Sequence, residues 1–100
     1  MPLHVQRVQS LNYSSPDNCD VDSSSTEVIP ANPARKYLVI VNASDEAMYL
    51  GIGVAAESAK GIYLAAAGGS FEMITANLSP EIVYGICASG GKNATVQEAT

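Results

Sequence analysis

The segments Lys36-Tyr-Leu-Val-Ile-Val-Asn42 and Ala47-Met-Tyr-Leu-Gly-Ile52, separated by a short polar stretch, decide the fold class of this chain. Both are rich in β-branched and aromatic residues, which favour strands, and a residue that favours turns lies at or just after the end of each. Apolar side chains occupy successive positions of Tyr37–Val41, and successive side chains of a strand point to opposite faces. This strand is therefore expected to be covered on both of its faces. A central strand satisfies that requirement, and so does a strand buried at a subunit contact.

Short runs of the same kind recur along the chain, and Gly, Pro, Asn or Asp residues punctuate them. They are Glu27–Ile29, Gly61–Ala65, Ser70–Ile74, Ile82–Cys87 and Ala94–Glu98. Their centres fall about every 8 to 12 residues, which is typical of antiparallel sandwiches and barrels. Only 54–60 could form a helix, and it would be a short one. The sequence predicts an all-β fold, an antiparallel β-sandwich of the jelly-roll or Greek-key kind with an extended N-terminal arm.

Two connections between these runs carry turn signals. Asn42-Ala-Ser-Asp-Glu46 has short polar side chains that can bond to their own backbone, and it is the clearest hairpin signal in the chain. Gly85–Asn93 superficially resembles a phosphate loop, but no Ser or Thr follows Lys92 and too few residues remain for the required helix. A hairpin turn is predicted there as well.

The N-terminal region is different in character. Residues 12–26 are polar and rich in turn-forming residues, so they are predicted to be a loop or arm. The predicted organisation is an N-terminal arm with an edge strand over 1–26 and a β-sandwich domain over 27–100. Removal of residues 1–25 is accordingly expected to leave a folded domain with weakened attachment to its partner.

Three apolar residues at the start of the chain are the predicted contact residues. Val5, Val8 and Leu11 lie among polar neighbours, at a spacing that fits one helical turn or an irregular edge strand, with the strand preferred. An extended arm can become ordered on a neighbouring protein and bury these side chains there. They are predicted to contact another subunit or another protein.

Composition limits the classes of function. The 100 residues fit one domain, and a net charge of −5, with ten acidic residues against five Lys and Arg, argues against a nucleic-acid partner. Charged residues make up 15% of the chain against a usual ~25%, which leaves apolar surface for protein partners. The chain has neither a signal-peptide pattern nor an apolar stretch of about 18 residues, so neither secretion nor a membrane span is expected. Cys19 and Cys87 are expected to be unpaired thiols.

No motif in the sequence indicates catalysis. His4 is the one histidine, G-x-S-x-G is absent, and one His with two distant Cys does not supply a zinc site. Gly51–Ala56 matches the dinucleotide pattern G-x-G-x-x-A, but no crossover helix can follow it, so a strand end leading into a turn is expected. Glu72 with Glu81 stays open as an acid–base pair, although surface charge is the preferred interpretation.

Three carboxylates and five aromatic residues each allow a structural and a functional interpretation. Asp17, Asp20 and Asp22 could attract a hard cation, but the glycine and glutamate of a calcium loop are missing, so solvated side chains are expected. The aromatic residues occur one per strand and are predicted to pack in the core or on a sheet face, with stacking on sugar rings as the alternative. They are Tyr37, Tyr49, Tyr63, Phe71 and Tyr84. The sequence predicts a protein that is not an enzyme and has no metal or cofactor.

Seven elements between Asn32 and Glu98 together resemble a family of small bacteriophage virion proteins. They are Asn32-Pro-Ala-Arg35, Leu38-Val-Ile-Val-Asn42, Tyr49-Leu-Gly-Ile-Gly53, Gly61-Ile-Tyr-Leu64, Gly69-Ser-Phe-Glu72, Val83-Tyr-Gly-Ile86 and the terminal Val96-x-Glu98. The similarity covers about two-thirds of the chain. The acidic, Cys-containing stretch 17–22 departs from the pattern of the family.

The resemblance implies a β-sandwich protein of the phage particle. The expected role is capsid decoration or cement, in which a homotrimer binds between major capsid proteins and stabilises the head. Under this role Val5, Val8 and Leu11 would contact another subunit or a capsid protein. A head-fibre or tail-associated module that binds host glycans, and a neck or head–tail connector, are the alternatives. Assembly in the host bacterial cytoplasm would agree with the unpaired thiols and the missing signal peptide.

Overall fold

The computed structural model describes residues 10–100, and these residues form eight β-strands and no helix. The strands are β1 Asp17–Val21, β2 Thr26–Ile29, β3 Tyr37–Asn42, β4 Met48–Ile52, β5 Ile62–Leu64, β6 Ser70–Met73, β7 Val83–Cys87 and β8 Lys92–Ala99. Seven of them match the predicted runs to within two residues at either end. The segment 54–60 forms turns and bends, not a helix.

The strands form two four-stranded antiparallel sheets packed face to face, which confirms the predicted sandwich. Sheet A has the order β1-β8-β3-β6 and sheet B the order β2-β7-β4-β5. The pairs β1–β8, β2–β7, β3–β6 and β4–β5 are nested, as if one long hairpin had been folded over into two layers. This nesting is the arrangement of a jelly roll.

Both predicted hairpins are wrong, because their flanking strands lie in different sheets. The connection from β3 to β4 and the connection from β7 to β8 each cross from one layer to the other. Asn42 holds the first crossing: its buried Nδ2 donates to the carbonyl oxygens of Glu46 and Leu64, while its Oδ1 accepts from the backbone N–H and the hydroxyl of Ser44. The same short polar residues that favour hairpin turns here stabilise a crossover.

The core lies between the two sheets and follows the alternation of side chains along each strand. In β3, Leu38 and Ile40 point inward and are fully buried, while Tyr37, Val39 and Val41 point outward and are half-buried. Gly85 on β7 also faces inward, where an added Cβ would lie 2.9 Å from Cγ2 of Val28. The large fully buried side chains are Val21, Leu38, Ile40, Asn42, Met48, Leu50, Leu64, Met73 and Val83.

The prediction that residues 12–26 form a loop is wrong, because β1 lies within that stretch. Hydrogen bonds join Asn12 and Ser14 to the backbone of residues 98–100, and after Pro16 the pairing continues from Asp17 opposite Val96 to Val21 opposite Lys92. Val21 is completely buried in the core. The sandwich therefore includes residues that the sequence assigned to the arm. Of the predicted edge strand 4–11, residues 4–9 lie outside the described residues, and residues 10 and 11 belong to no strand.

Arg35 fastens one end of the sandwich. Its side chain has no exposed surface; Nε forms an ion pair of 2.9 Å with Oε1 of Glu98 on β8. Its other nitrogens donate to the carbonyl oxygens of Pro30, Ser79 and Glu81 at 2.8 to 2.9 Å. One guanidinium thus joins the β2–β3 connection, the β6–β7 connection and the last strand. Four donors in a fixed planar arrangement match four acceptors, which an ammonium group does not reproduce.

We expect Arg35→Met to destabilise the protein by about 3–5 kcal/mol, because the Glu98 carboxylate and three carbonyl oxygens lose their shared donor. Lys60→Met is the matched control, since the Lys60–Glu57 ion pair is 3.6 Å long and both side chains are mostly exposed. The control should change stability by less than about 1 kcal/mol. Urea denaturation of the two variants measures the difference, and equal midpoints would contradict the proposed role of Arg35.

Val21→Ala tests whether β1 belongs to the folded body. Removing two methyl groups from a fully buried site is expected to cost about 2 kcal/mol. Val54→Ala removes the same atoms from a side chain that is 63% exposed and should change stability by less than about 0.5 kcal/mol. If thermal unfolding of the two variants is indistinguishable, residues 17–21 are dispensable for folding, as the sequence had predicted.

Candidate interaction surface

The outer surface of sheet A is apolar along its central strand. Val39 lies between Gln97 of β8 and Glu72 of β6, and Val41 lies between Thr95 and Ser70. Among residues 10–100, no further layer of chain covers the outward side of β3. The core therefore explains the apolar residues of β3 that point inward, Leu38 and Ile40, but not the outward-pointing Val39 and Val41. β3 is paired on both edges, but the cover predicted for both of its faces is found on the core side only among residues 10–100, and its second apolar side faces outward.

A shallow depression of about 350 Å³ runs across this surface from β3 over β8 to β1. We call it the sheet A depression, and its lining residues are Pro16, Asp17, Asn18, Val39, Val41, Thr95, Val96 and Gln97. Among these lining residues Asp17 is the one titratable group, and it stands at the β1 margin. The depression offers methyl groups and amides, which suit contact with a protein surface, and it brings no acid and base together.

Two tyrosines and a glutamate form one end of the same surface. The rings of Tyr13 and Tyr37 meet edge to face with centroids 5.9 Å apart, above the small residue Ala99 that pairs with both. The Tyr37 hydroxyl donates to Oε2 of Glu72. This hydrogen bond, together with partial burial and the negative charge of Glu72, raises the pKa of Tyr37 to about 12. The three side chains thus contact one another at this end of the surface.

Aromatic side chains also lie on the outer surface of sheet B. The rings of Tyr49 and Tyr63 are 5.5 Å apart, and Ile86 follows in the same row. Tyr63 is 58% exposed. Of the two predicted positions, core and sheet face, the tyrosines take the sheet face, because each points outward from its strand: Tyr37, Tyr49, Tyr63 and Tyr84. Phe71 alone among the five predicted aromatic residues packs against the core.

The predicted contact residues can be compared with the structure only in part. Val5 and Val8 lie outside the described residues. Leu11 is half-buried and lines a second depression of about 350 Å³ with Lys36, Thr75 and Leu78. It therefore lies at the end of the sandwich where β3 begins, and the chain N-terminal to it starts from there.

The opposite end of the sandwich is held by polar contacts between loops. Both carboxylate oxygens of Glu46 accept hydrogen bonds from Ser89, one from the backbone and one from the hydroxyl. The Ser89 backbone N–H is the main reason why the pKa of Glu46 is lowered. Lys92 forms an ion pair of 2.7 Å with Asp45, and its hydrogen bond lowers the pKa of that carboxyl group. These charged groups have protein partners, so they fix loops and do not form an open site.

The remaining sequence motifs have structural explanations. Gly53 has a φ of 71° in the turn after β4, which confirms the predicted strand end in Gly51–Ala56. An added Cβ at Gly51 would lie 2.6 Å from the carbonyl oxygen of Val54, because the β4–β5 connection folds back over sheet B. Cys19 and Cys87 are free thiols, and burial is the main cause that raises the pKa of each.

Residues 10–100 contain no group of three or more His, Cys, Asp or Glu side chains arranged to hold a metal ion. Within the same residues no helix has the length and apolar character needed to cross a membrane. Searches against known protein families, curated proteins and solved structures each found no match.

The sequence identified part of this surface and missed the rest. Val39 and Val41 were marked by the apolar residues at both parities of their run. Pro16, Asn18 and Thr95 carried no signal, because their position beside Val41 depends on β8 pairing with both β1 and β3. That pairing joins residues more than fifty positions apart in the chain.

Alkaline titration tests the Tyr37–Glu72 contact. The pKa of Tyr37 is raised from 10.0 to about 12, so its neutral form contributes fully to stability below about pH 10 and that contribution is lost as the pH rises towards 12. Ultraviolet absorbance of phenolate should show a late step that is absent in Tyr37→Phe and shifted to lower pH in Glu72→Gln. Tyr63→Phe, which leaves the Tyr37–Glu72 hydrogen bond in place, should retain it. A late step that survives in Tyr37→Phe would refute the contact.

Proposed function

We propose that this chain is a structural component of a bacteriophage virion, a capsid decoration or cement protein that binds between major capsid proteins as a homotrimer. The observation that carries the proposal is the apolar outer surface of sheet A, where Val39 and Val41 line an open depression without converging catalytic groups. Such a surface favours binding to other protein surfaces over turnover of a small substrate. The protein acts by attachment, not by catalysis.

The fold is compatible with this role. Jelly rolls with eight strands are common in viral capsid proteins, although they occur in lectin domains and other proteins as well. A small sandwich with a buried ion pair between its first long connection and its last strand is a rigid unit for attachment. Rigidity reduces the entropy lost on binding, which benefits a protein that has to stay attached to a particle.

The resemblance to small phage virion proteins implies attachment to a phage particle. Several of the elements that carry the resemblance have structural roles in this chain. Arg35 of Asn32-Pro-Ala-Arg35 and the terminal Glu98 form the buried ion pair. Asn42, at the end of the hydrophobic run, holds the crossover between the sheets. The elements that carry the resemblance thus contribute to the fold, and two of them also supply Val39, Val41 and Val96 to the sheet A depression.

A second candidate is favoured by one specific observation, the Tyr49–Tyr63 pair on the outside of sheet B. An exposed pair of tyrosine rings on a jelly roll can stack on sugar rings, as in a head-fibre or tail-associated module that binds host glycans. This function uses sheet B and leaves sheet A free. The two candidates therefore predict effects of substitutions on opposite surfaces.

Binding to capsids that lack this protein distinguishes the candidates. We expect the purified chain to saturate such capsids and Val41→Asp to weaken binding at least about tenfold, because the substitution places a charge in the apolar depression. Tyr63→Ala on sheet B is the matched control and should bind like the natural chain. Cryo-electron microscopy of the decorated capsids should show density between major capsid proteins.

Three experimental results would contradict the cement role. Binding that is lost in Tyr63→Ala and kept in Val41→Asp, together with hits on a glycan array, would establish the recognition module. Density in a ring of sixfold or twelvefold symmetry at the vertex would establish a neck or head–tail connector. No binding to capsids and no density on the particle would overturn the virion proposal itself.

A further inference from the structure

We propose that an opening between β1 and β2 is a binding site for an arginine side chain of a partner protein. The methylene groups of that side chain would pack against the apolar wall of the opening, and its guanidinium would bind the carboxylates of Asp17 and Glu98. This contact goes beyond the proposed function, because it names the chemical group that a partner presents to a surface other than the sheet A depression.

β1 and β2 are edge strands of different sheets, and they meet along one side of the sandwich. At one end this seam is closed, because the thiol of Cys19 donates to the carbonyl oxygen of Glu27 at 3.2 Å and the N–H of Asp22 donates to Oγ1 of Thr26. At the other end the two strands leave an opening of about 360 Å³, which we call the lateral cleft. Its apolar wall and its two carboxylates come from Val28, Ile29, Pro30, Val96, Asp17 and Glu98.

Both edges of the lateral cleft are irregular. On β2 the register shifts at Val28, so that Val28 and Ile29 are both buried, whereas successive side chains of a regular strand point to opposite faces. On the other edge, residues 14–16 lie opposite only residues 97 and 98 of β8, because Tyr13 pairs with Ala99 and Asp17 with Val96. An extra residue of this kind bends the strand that carries it and redirects side chains, and such bulges are frequent beside functional sites.

The lining of the lateral cleft combines an apolar wall with negative charge. Val28, Ile29 and Val96 are the buried part of that wall, and the exposed Pro30 extends it towards solvent. Among residues 10–100, no Lys, Arg or His lines the cleft. A long side chain with an aliphatic stem and a cationic end is complementary to this lining, because the stem packs on apolar surface while the charge stays near the opening.

The carboxylate of Glu98 has bonding capacity left. Its Oε1 binds Nε of Arg35 at 2.9 Å, whereas its Oε2 accepts no hydrogen bond from residues 10–100 and keeps contact with solvent. The charge of Arg35 offsets that of Glu98, so the excess negative charge at the cleft comes from the exposed Asp17. A guanidinium carries several N–H donors in one plane, which suits contact with two carboxylates better than a single ammonium group does.

The same edges disfavour the addition of a partner strand. Pro16 has no N–H to donate, the N–H of Asn18 is bonded to Oδ1 of Asp17, and the carbonyl oxygen of Glu27 is bonded to Cys19. Groups that a regular ladder needs are therefore missing or occupied on both strands. A side chain that enters the cleft needs none of them, which favours arginine as the occupant.

NMR titration of the full chain with a capped arginine, N-acetyl-arginine methylamide, tests this inference. We expect saturable shifts of the amide signals of Ser15, Asp17, Val28 and Ile29, and nuclear Overhauser effects between the arginine methylenes and the methyl groups of Val28 and Ile29. Capped citrulline has nearly the same shape without the charge. It should bind at least about fivefold more weakly, because hydrogen bonds from a charged donor to a carboxylate are the stronger ones.

Two exposed aspartates of β1 provide a matched pair of variants. Asp17→Asn removes the excess charge at the lateral cleft and should weaken binding of capped arginine about threefold. Asp20→Asn removes the same charge from a side chain that points to the opposite face of the strand and does not line the cleft, so it should leave the affinity unchanged. Circular dichroism melting of both variants verifies that they are folded.

Any of three results would overturn the inference. They are a titration without saturation up to about 50 mM capped arginine, equal affinity for the arginine and citrulline compounds, and equal loss of affinity in Asp17→Asn and Asp20→Asn. The last result would indicate general attraction of a cation to an acidic strand. Capsid binding through sheet A is measured separately, so failure of this site is distinguishable from failure of the virion role.

Discussion

The buried guanidinium of Arg35 is the contact on which the arrangement of this sandwich depends. It binds the carboxylate of Glu98 and three backbone carbonyl oxygens, and these acceptors belong to connections that are remote in the sequence. Burial of a guanidinium without acceptors for its donors costs free energy. Any fold that buries Arg35 away from these four acceptors is therefore disfavoured. Arg35 thereby fixes where β8, which lies at the centre of sheet A beside β3, has to end.

With the end of β8 bound to Arg35, the register of β8 with its two neighbours determines which side chains share the outward surface of sheet A. The strand pairs with β3 on one side and with β1 on the other, so that Val41, Thr95 and Asn18 form a row across three strands. At the opposite end, Asn42 and the Glu46–Ser89 contacts fasten the loops in the same way. The result is an apolar surface whose sheet is held by hydrogen bonds at both ends, which suits the attachment proposed for this chain.

Parts of the fold were predictable from local pattern because they depend on local chemistry. Seven strands were located by β-branched and aromatic runs between turn-forming residues. The apolar residues on both sides of Tyr37–Val41 agree with a strand that is paired on both edges, but among residues 10–100 only its core side is covered. β1 was missed because Asp17-Asn-Cys-Asp20 has the composition of a loop, and it is a strand because β8 offers it hydrogen-bonding partners. The choice between core and sheet face was not settled for the tyrosines, because composition does not show which side chains of a strand point outward.

By itself, then, the sequence determined the all-β class, the positions of most strands and the absence of recognisable catalytic motifs, because alternation, propensity and turn chemistry act over a few neighbouring residues. Only the tertiary structure decided which strands pair. Two connections that appeared to be hairpins cross between the sheets, and the sheet A depression brings Pro16 and Thr95 together from opposite ends of the chain. Such pairings are set by burial of the common core and by the Arg35–Glu98 ion pair, which act between residues far apart in the chain and leave no local signal.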